Sequence, residues 1–179
     1  TGIAILTNID IVVIKHHFDA ITTGHFTQEA IIARIGFFVT SSLTMVLLPE
    51  ISKNESDKSK NLVRTALFIS GGIAGIFCLI CWIAPDLLVQ IFFSSKATDS
   101  TFLPMLSVIY ALLAMLNLIF IINLGKGYYI SQFIYFFAII FFTIVLFSIN
   151  IDNISTFIYM MTLFLAIILL MDIFKSILK

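Results

Sequence analysis

The sequence predicts an all-α integral membrane protein, a polytopic bundle of about six transmembrane helices. Composition is the first reason: 60% of the 179 residues are apolar and 11% are charged, whereas soluble domains average about 45–50% apolar and about 25% charged residues. Mean hydropathy is correspondingly high, at +1.13. The second reason is that the apolar residues come in runs of about 20, the length with which a helix crosses the hydrocarbon core of a bilayer.

Polar or Pro/Gly-marked breaks separate six apolar segments, which are too long for barrel strands and are therefore predicted to be helices. The first segment is too short to cross a membrane, and we interpret the chain, which starts at Thr1, as a fragment of a longer protein. After Pro85, the amphipathic stretch Asp86–Phe93 is predicted to lie at the membrane interface. The six predicted helices form one lobe, residues 1–179, and cover about residues 3–14, 30–48, 63–83, 102–124, 128–149 and 154–173.

Basic residues are distributed unevenly between the two predicted sides of the membrane. One side carries seven of them and the other side only Lys15 and Lys96. By the positive-inside rule, the side with seven is cytoplasmic, and so is the C-terminus. Basic and acidic residues balance at ten each, which argues against a polybasic surface for nucleic acid. The seven are Lys53, Lys58, Lys60, Arg64, Lys126, Lys175 and Lys179.

Two charged residues fall inside predicted membrane spans, Asp10 in the first and Arg34 in the second. Each such residue costs about 2.5–3.5 kcal/mol on insertion scales and requires a reason. Each lies six residues from its end of the hairpin between the two helices, if His16 and Gln28 are taken as the ends. We therefore expect them to meet at equal depth. Two interpretations remain open: a mutually neutralising ion pair, and a water-filled cavity that handles a charged substrate or ion.

Polar side chains accompany Arg34 on neighbouring helices. Ser41 follows Arg34 by seven residues, and Ser107, Tyr110 and Asn117 recur at helical spacing on the fourth predicted helix. Such stripes form either hydrogen bonds between helices or the lining of a hydrophilic cavity. Both interpretations stay open.

Chemistry that needs a catalytic group, a metal or a cofactor is not indicated. The pair Cys78 and Cys81 lies in an apolar helix and is interpreted as membrane-core packing. His16, His17 and His25 are near one another in sequence, but the adjacent histidines point in different directions on a helix and do not predict a metal site. We expect neither an enzyme nor a cofactor.

Several short motifs, in order along the chain, resemble the polysaccharide flippases (Wzx type) of the multidrug/oligosaccharidyl-lipid/polysaccharide exporter superfamily. A helix containing Asn8 and Asp10 leads to a Gly24 segment that resembles a turn of that family. The match covers about residues 1–132. The remaining motifs are Val46-Leu47-Leu48-Pro49-Glu50-Ile51-Ser52-Lys53, which is similar to the family's L-P-x-x-S loop, Ala84-Pro85-Asp86-Leu87-Leu88-Val89-Gln90-Ile91-Phe92-Phe93, and the turn Leu124-Gly125-Lys126-Gly127.

The resemblance implies the second lobe of a two-lobed transporter, whose partner would be the missing N-terminal lobe of the same chain. It further implies alternating access in a bacterial cytoplasmic (inner) membrane, with an undecaprenyl-diphosphate-linked oligosaccharide as substrate for surface polysaccharide or O-antigen biosynthesis. Arg34 and Lys15 would offset substrate charge, and Asp10 would bind a coupling proton or sodium ion. The expected cavity residues are Asn8, Asp10, Lys15, Arg34, Ser41 and Asn117.

Two other functions remain open. A multidrug or toxin extruder of the same superfamily has the same architecture and a cationic substrate, which would require unpaired acids in the cavity. A membrane enzyme of glycan assembly would require a sizeable outer loop or a catalytic constellation, and the longest loops here are about fifteen residues.

Overall fold

The computed structural model describes the backbone of residues 2–53, 57–93, 102–125 and 129–177, and the side chains of residues 3–42, 63–93, 102–125 and 133–172. Throughout these ranges the chain is helical apart from short connections. The seven helices are α1 (Gly2–His17), α2 (Ala20–Lys53), α3 (Asp57–Ile83), α4 (Pro85–Phe93), α5 (Leu103–Gly125), α6 (Tyr129–Ser148) and α7 (Ile154–Ile177). The predicted all-α class is confirmed, and the predicted amphipathic stretch Asp86–Phe93 forms a short helix, α4.

Local capping residues explain where several helices begin. Asp19 precedes α2, and its Oδ2 accepts hydrogen bonds from the amides of Ile21 at 3.1 Å and Thr22 at 3.3 Å. Asn153 precedes α7 and accepts from the amide of Ser155 at 3.0 Å. These short polar side chains satisfy amides that have no partner within the first turn. Pro85 begins α4, a position at which proline's missing N–H is not needed.

The predicted turn around Gly24 is wrong. The hairpin between α1 and α2 consists of Phe18 and Asp19 alone, and Gly24 lies inside α2. The Asp19 cap starts the helix at Ala20, and the hydroxyls of Thr23 and Thr27 donate to carbonyls four residues earlier, an arrangement that a continuous helix provides. The second helix therefore begins at Ala20 rather than near residue 30.

Contacts between α2 and α5 show that the two helices run parallel. Three hydrogen bonds join the two in the same order along both helices. They are Glu29 with Phe102, just before α5, then Arg34 with Tyr110, and then Ser41 with Asn117. The order reverses between α3 and α5. The Cys78 thiol donates to the Ser107 carbonyl at 3.2 Å, and a Cβ on Gly71 would meet Met115 further along α5. In α6 and α7, Tyr135 bonds Asp172 while Phe142 stacks on Phe164, so these two helices are antiparallel.

The helices thus join at two ends of the bundle. The end with the α1–α2 turn, called here the hairpin end, also holds α4, the start of α5 and the connection from α6 to α7. At the hairpin end His17 Nε2 lies 3.2 Å from the Leu146 carbonyl near the end of α6. The opposite end holds the end of α2 and the start of α3.

Helix α5 forms the centre of the bundle, packed against α2, α3 and α7. One large core cluster includes Leu106, Leu113, Phe157 and Cys81, which is fully buried as the sequence predicts. Large apolar side chains also cover the outside of the bundle, and solvent water would penalise that arrangement. They include Phe68, Ile76, Phe133, Phe137, Phe141, Leu163 and Leu170.

Three helical segments of the described residues are long and apolar enough to cross a membrane: Val63–Ile83, Leu103–Gly125 and Ile154–Asp172. A shorter apolar run, Phe133–Ser148, lies in α6. α1 has only 16 residues, and α2 has 34 but carries Glu29 and Arg34 in its described part. The architecture is that of a membrane helix bundle, and three of the six predicted spans meet the length and composition of a crossing.

The predicted orientation depends on side chains that lie outside the described residues. Of the seven basic residues assigned to the cytoplasmic side, only Arg64 has a described side chain. The side chains of the motif at residues 46–53, Lys96 and the turn at residues 126–127 are outside it as well. The orientation therefore stays a prediction.

Candidate functional site: a charged ring between α1, α2 and α5

Asp10, Arg34 and Tyr110 form a closed ring of hydrogen bonds in the bundle interior. Arg34 Nη2 donates to Asp10 Oδ1 at 2.8 Å. The Tyr110 hydroxyl donates to Asp10 Oδ2 at 2.5 Å and accepts a hydrogen bond from Arg34 Nε at 2.6 Å. Three helices contribute one side chain each, so the ring ties α1, α2 and α5 together. The predicted meeting of Asp10 and Arg34 is confirmed, although the hairpin ends from which it was counted are wrong.

The ring is shielded unevenly. Asp10 is 3% exposed and Tyr110 is 1% exposed, whereas the side chain of Arg34 keeps 14% of its surface exposed. Both oxygens of Asp10 accept a hydrogen bond from within the ring. The guanidinium has five N–H donors, of which the ring uses two. The positively charged Arg34 therefore stays partly exposed, whereas the negatively charged Asp10 is buried.

Tyr110 is essential to this geometry, although it is not among the predicted cavity residues. The sequence places it in a polar stripe on the fourth predicted helix. Arg34 also lies against its ring face, with the guanidinium carbon 5.6 Å from the ring centroid. A hydroxyl at this depth requires a partner, and helical spacing puts Tyr110 and Asn117 on one face of α5, so this face could have been recognised as facing Arg34.

The other predicted cavity residues are not gathered into this ring. Asn117 Nδ2 donates to Ser41 Oγ at 3.1 Å, which is a second polar contact between α5 and α2, two turns along from the ring. Asn8 is exposed and its Nδ2 donates to the Ala4 carbonyl of its own helix at 2.9 Å. Lys15 is exposed near the hairpin end of α1. The structure thus joins Asp10 with Arg34, and Ser41 with Asn117.

Glu29 is a buried acid that is not among the residues predicted to line a cavity. It is 4% exposed, and its Oε2 accepts a hydrogen bond of 2.8 Å from the amide of Phe102, the residue before α5. Glu29 lies one residue before the predicted span 30–48, and its partner Phe102 directly precedes the apolar segment Leu103–Gly125, so Glu29 lies at the hairpin end of the bundle. Burial raises the pKa of its carboxyl from 4.5 to about 7, against the lowering effect of hydrogen bonds from the amides of Phe102 and Leu103.

A third buried acid, Asp172, lies at the opposite end of the bundle. The hydroxyl of Tyr135 donates to its Oδ1, which ties α6 to the end of α7. Phe120 of α5 lies against the Tyr135 ring, with the ring centroids 5.6 Å apart. In the structure Asp172 serves as a polar contact between helices.

The histidines near the α1–α2 turn, His16, His17 and His25, do not form a metal site. The rings of His16 and His17 meet edge to face, with centroids 4.9 Å apart, and His16 also contacts Phe147. Among the residues with described side chains, no group of three or more His, Cys, Asp or Glu side chains is placed to hold a metal ion. His16 and His17 pack α1 against the end of α6.

Comparisons of the chain with protein-family models, with curated proteins and with solved structures give no match.

Proposed function

We propose that the parent protein containing this chain is a flippase that moves an undecaprenyl-diphosphate-linked oligosaccharide across the bacterial cytoplasmic membrane, and that this chain forms one of its lobes. The ordered motifs in residues 1–132 favour this family. The apolar helix bundle is compatible with a membrane lobe. The lobe works with a second one by alternating access, in the service of surface polysaccharide synthesis. Its C-terminus is cytoplasmic in this proposal.

The observation that carries the proposal is the uneven shielding of the ring. A diphosphate group is costly to hold in a low-dielectric cavity unless a positive group faces it. Arg34 has unused donors and remaining exposure, and its planar fork suits phosphate oxygens. Asp10 holds that fork in place, and Tyr110 fixes it from the other side. In this proposal Arg34 contacts the diphosphate, while Asp10 and Tyr110 position it.

A cation extruder of the same superfamily is less well supported by this geometry. Such a protein requires an acid that a cationic substrate can reach. Asp10 is buried, and Arg34 and Tyr110 occupy its two oxygens. A cation would have to displace an ion pair, and leaving one buried charge unpaired costs about 3–5 kcal/mol. By the same reasoning, a coupling proton or sodium ion could bind Asp10 only after the ring opens.

The other predicted cavity residues receive narrower roles. Lys15, exposed near the hairpin end, is placed to attract an anionic glycan as it leaves or enters. Ser41 and Asn117 hold α2 parallel to α5 below the ring. Asn8 bonds within its own helix and has no role in substrate binding in this conformation.

Complementation of a strain that lacks the gene tests the proposal. The decisive variant is Asp10→Asn with Arg34→Gln in the complete protein, because replacing both partners leaves no unpaired buried charge. We expect wild-type amounts in the membrane and loss of surface glycan. Arg34→Lys, which keeps the charge but not the fork, should retain part of the export. Tyr159→Phe, on an exposed position of α7, is the matched control.

A drug-accumulation assay on the same strains separates the two transporters. A flippase predicts the same drug accumulation with and without the gene. Wild-type glycan export by the doubly neutral variant would remove the role assigned to Arg34. Drug accumulation that rises on deletion, with surface glycan unchanged, would replace the flippase with the extruder.

A further inference from the structure

Glu29 and the start of α5 form a contact that the charged ring does not use. Glu29 belongs to α2, and the amide that it accepts from belongs to Phe102, 73 residues further along the chain. The first amides of a helix have no acceptor within the helix, and a side chain usually supplies one from the preceding residue. In α5 the acceptor comes instead from another helix. The contact therefore depends on α2 and α5 staying together at the hairpin end.

The charge balance around Glu29 is unfavourable to its ionised form. The carboxylate is almost fully buried, and α5 carries no charged residue between Leu103 and Gly125. From α4, the negative charge of Asp86 further opposes ionisation of Glu29. On α2 itself, His25 lies one turn before Glu29 on the same face. Deeper in the bundle, Arg34 is held by Asp10 of α1.

We propose that Glu29 is a proton-binding latch, which when protonated holds the hairpin ends of α2 and α5 together and when ionised favours their separation. The latch goes beyond the proposed function and does not depend on which substrate is carried. In the closed state the protonated carboxyl still accepts from Phe102 through its carbonyl oxygen. In the open state water reaches the carboxylate and removes the cost of its charge.

Thermodynamic linkage fixes the direction of the effect. The pKa of Glu29 is about 7 in the closed state and 4.5 when it is exposed to water. The closed state therefore binds the proton more tightly and is favoured at low pH. Its stability falls as the pH rises from about 4.5 to about 7 and then levels off. With these two values, the ratio of open to closed latch rises about tenfold between pH 6 and pH 8.

Amide hydrogen exchange measures this opening at the contact itself. The amides of Phe102 and Leu103 lie before the first intrahelical acceptor of α5, so their protection reports the Glu29 contact directly. The experiment uses the complete protein in lipid nanodiscs, from pH 5 to pH 9, with rates normalised to an unstructured peptide of the same sequence. Amides in the middle of α5, around Leu113, serve as the internal reference for global unfolding.

We expect the normalised protection of the two amides to fall about tenfold from pH 6 to pH 8. Protection around Leu113 should stay well above theirs and fall by no more than the same factor, because global unfolding also exposes Glu29 to water. Glu29→Gln keeps the acceptor oxygen and cannot ionise, so its protection should be equal at both pH values. Asp19→Asn is the matched control, since Asp19 is a fully exposed acid at the same end whose pKa is lowered by hydrogen bonds from Thr22. It should behave as wild type.

The wild-type titration decides the proposal even if Glu29→Gln fails to fold. Protection of Phe102 and Leu103 that stays flat between pH 5 and pH 9 would overturn the latch. So would an unchanged pH dependence in Glu29→Gln. Either result would leave Glu29 as a fixed structural cap and would leave the proposed function standing.

Discussion

Removing one hydroxyl from the ring, by Tyr110→Phe, should destabilise the protein far more than its size suggests. The phenylalanine ring fills the same space and leaves no cavity. It removes the donor to Asp10 Oδ2 and the acceptor for Arg34 Nε. Hydrogen bonds to charged groups contribute about 1.5–3 kcal/mol each, and bonds between membrane helices fall at or below the low end of this range. Two such bonds together give an expected loss of about 1–3 kcal/mol.

Thermal unfolding of the purified complete protein in detergent provides the assay. For a folding unit of this size, 1 kcal/mol shifts Tm by about 2–4 °C, so the expected decrease is roughly 2–12 °C. Tyr159→Phe is the matched control. That tyrosine is 62% exposed on α7, and removing its hydroxyl should change the free energy of unfolding by less than about 0.5 kcal/mol.

A double-mutant cycle with Asp10→Asn separates the ring from general packing. When Asp10 is already neutral, the loss of the Tyr110 hydroxyl should cost less than in the wild type, because the charge-assisted bond is gone. Two results would refute the reasoning. One is a Tm for Tyr110→Phe within 1 °C of that for Tyr159→Phe, and the other is strict additivity in the cycle.

Two further predictions concern the contacts of α2. Gly36→Ala places a Cβ 2.5 Å from Phe77 Cδ1 and should lower the free energy of unfolding by about 1–3 kcal/mol. Gly24→Ala, whose Cβ would have no atom within 4 Å, should be neutral or slightly stabilising. The Tm of each variant measures both effects. Equal effects of the two changes would show that α2 and α3 are not closely packed at Gly36. Asn117→Leu removes the bond to Ser41 and should cost about 0.6 kcal/mol while export is retained. Lost export at normal stability would place Asn117 in the substrate path instead.

The sequence predicted the helices well where lipid contact alone explains them. The starts of α5 and α6 depend on long apolar runs, and the structure gives Leu103–Gly125 for a predicted 102–124. Helix α3 begins at Asp57 in a polar stretch, six residues before the apolar run predicted from residue 63. Pro85 marked α4 because proline is favoured at a helix start. These features are local, so the order of residue types is enough to find them.

Features that depend on contacts between two distant segments of the chain could not be predicted from the local sequence. The Gly24 segment reads as a turn, but the Asp19 cap and tertiary packing keep it helical. Glu29 falls in a polar stretch that predicts a loop, and only the position of Phe102 reveals its burial. Asp10 and Arg34 were found because a charge in an apolar run needs an explanation. Tyr110 was not singled out because a tyrosine in an apolar run is common and needs no special explanation.

The flipping of a fluorescent undecaprenyl-diphosphate-linked oligosaccharide in proteoliposomes tests the central claim most directly. It compares the purified wild-type protein with the variant carrying Asp10→Asn and Arg34→Gln, at matched folded amounts. A phosphate contact by the guanidinium contributes about 1.5–3 kcal/mol, so we predict that the variant flips this lipid at least tenfold more slowly. Equal flipping rates for the two proteins would contradict the account.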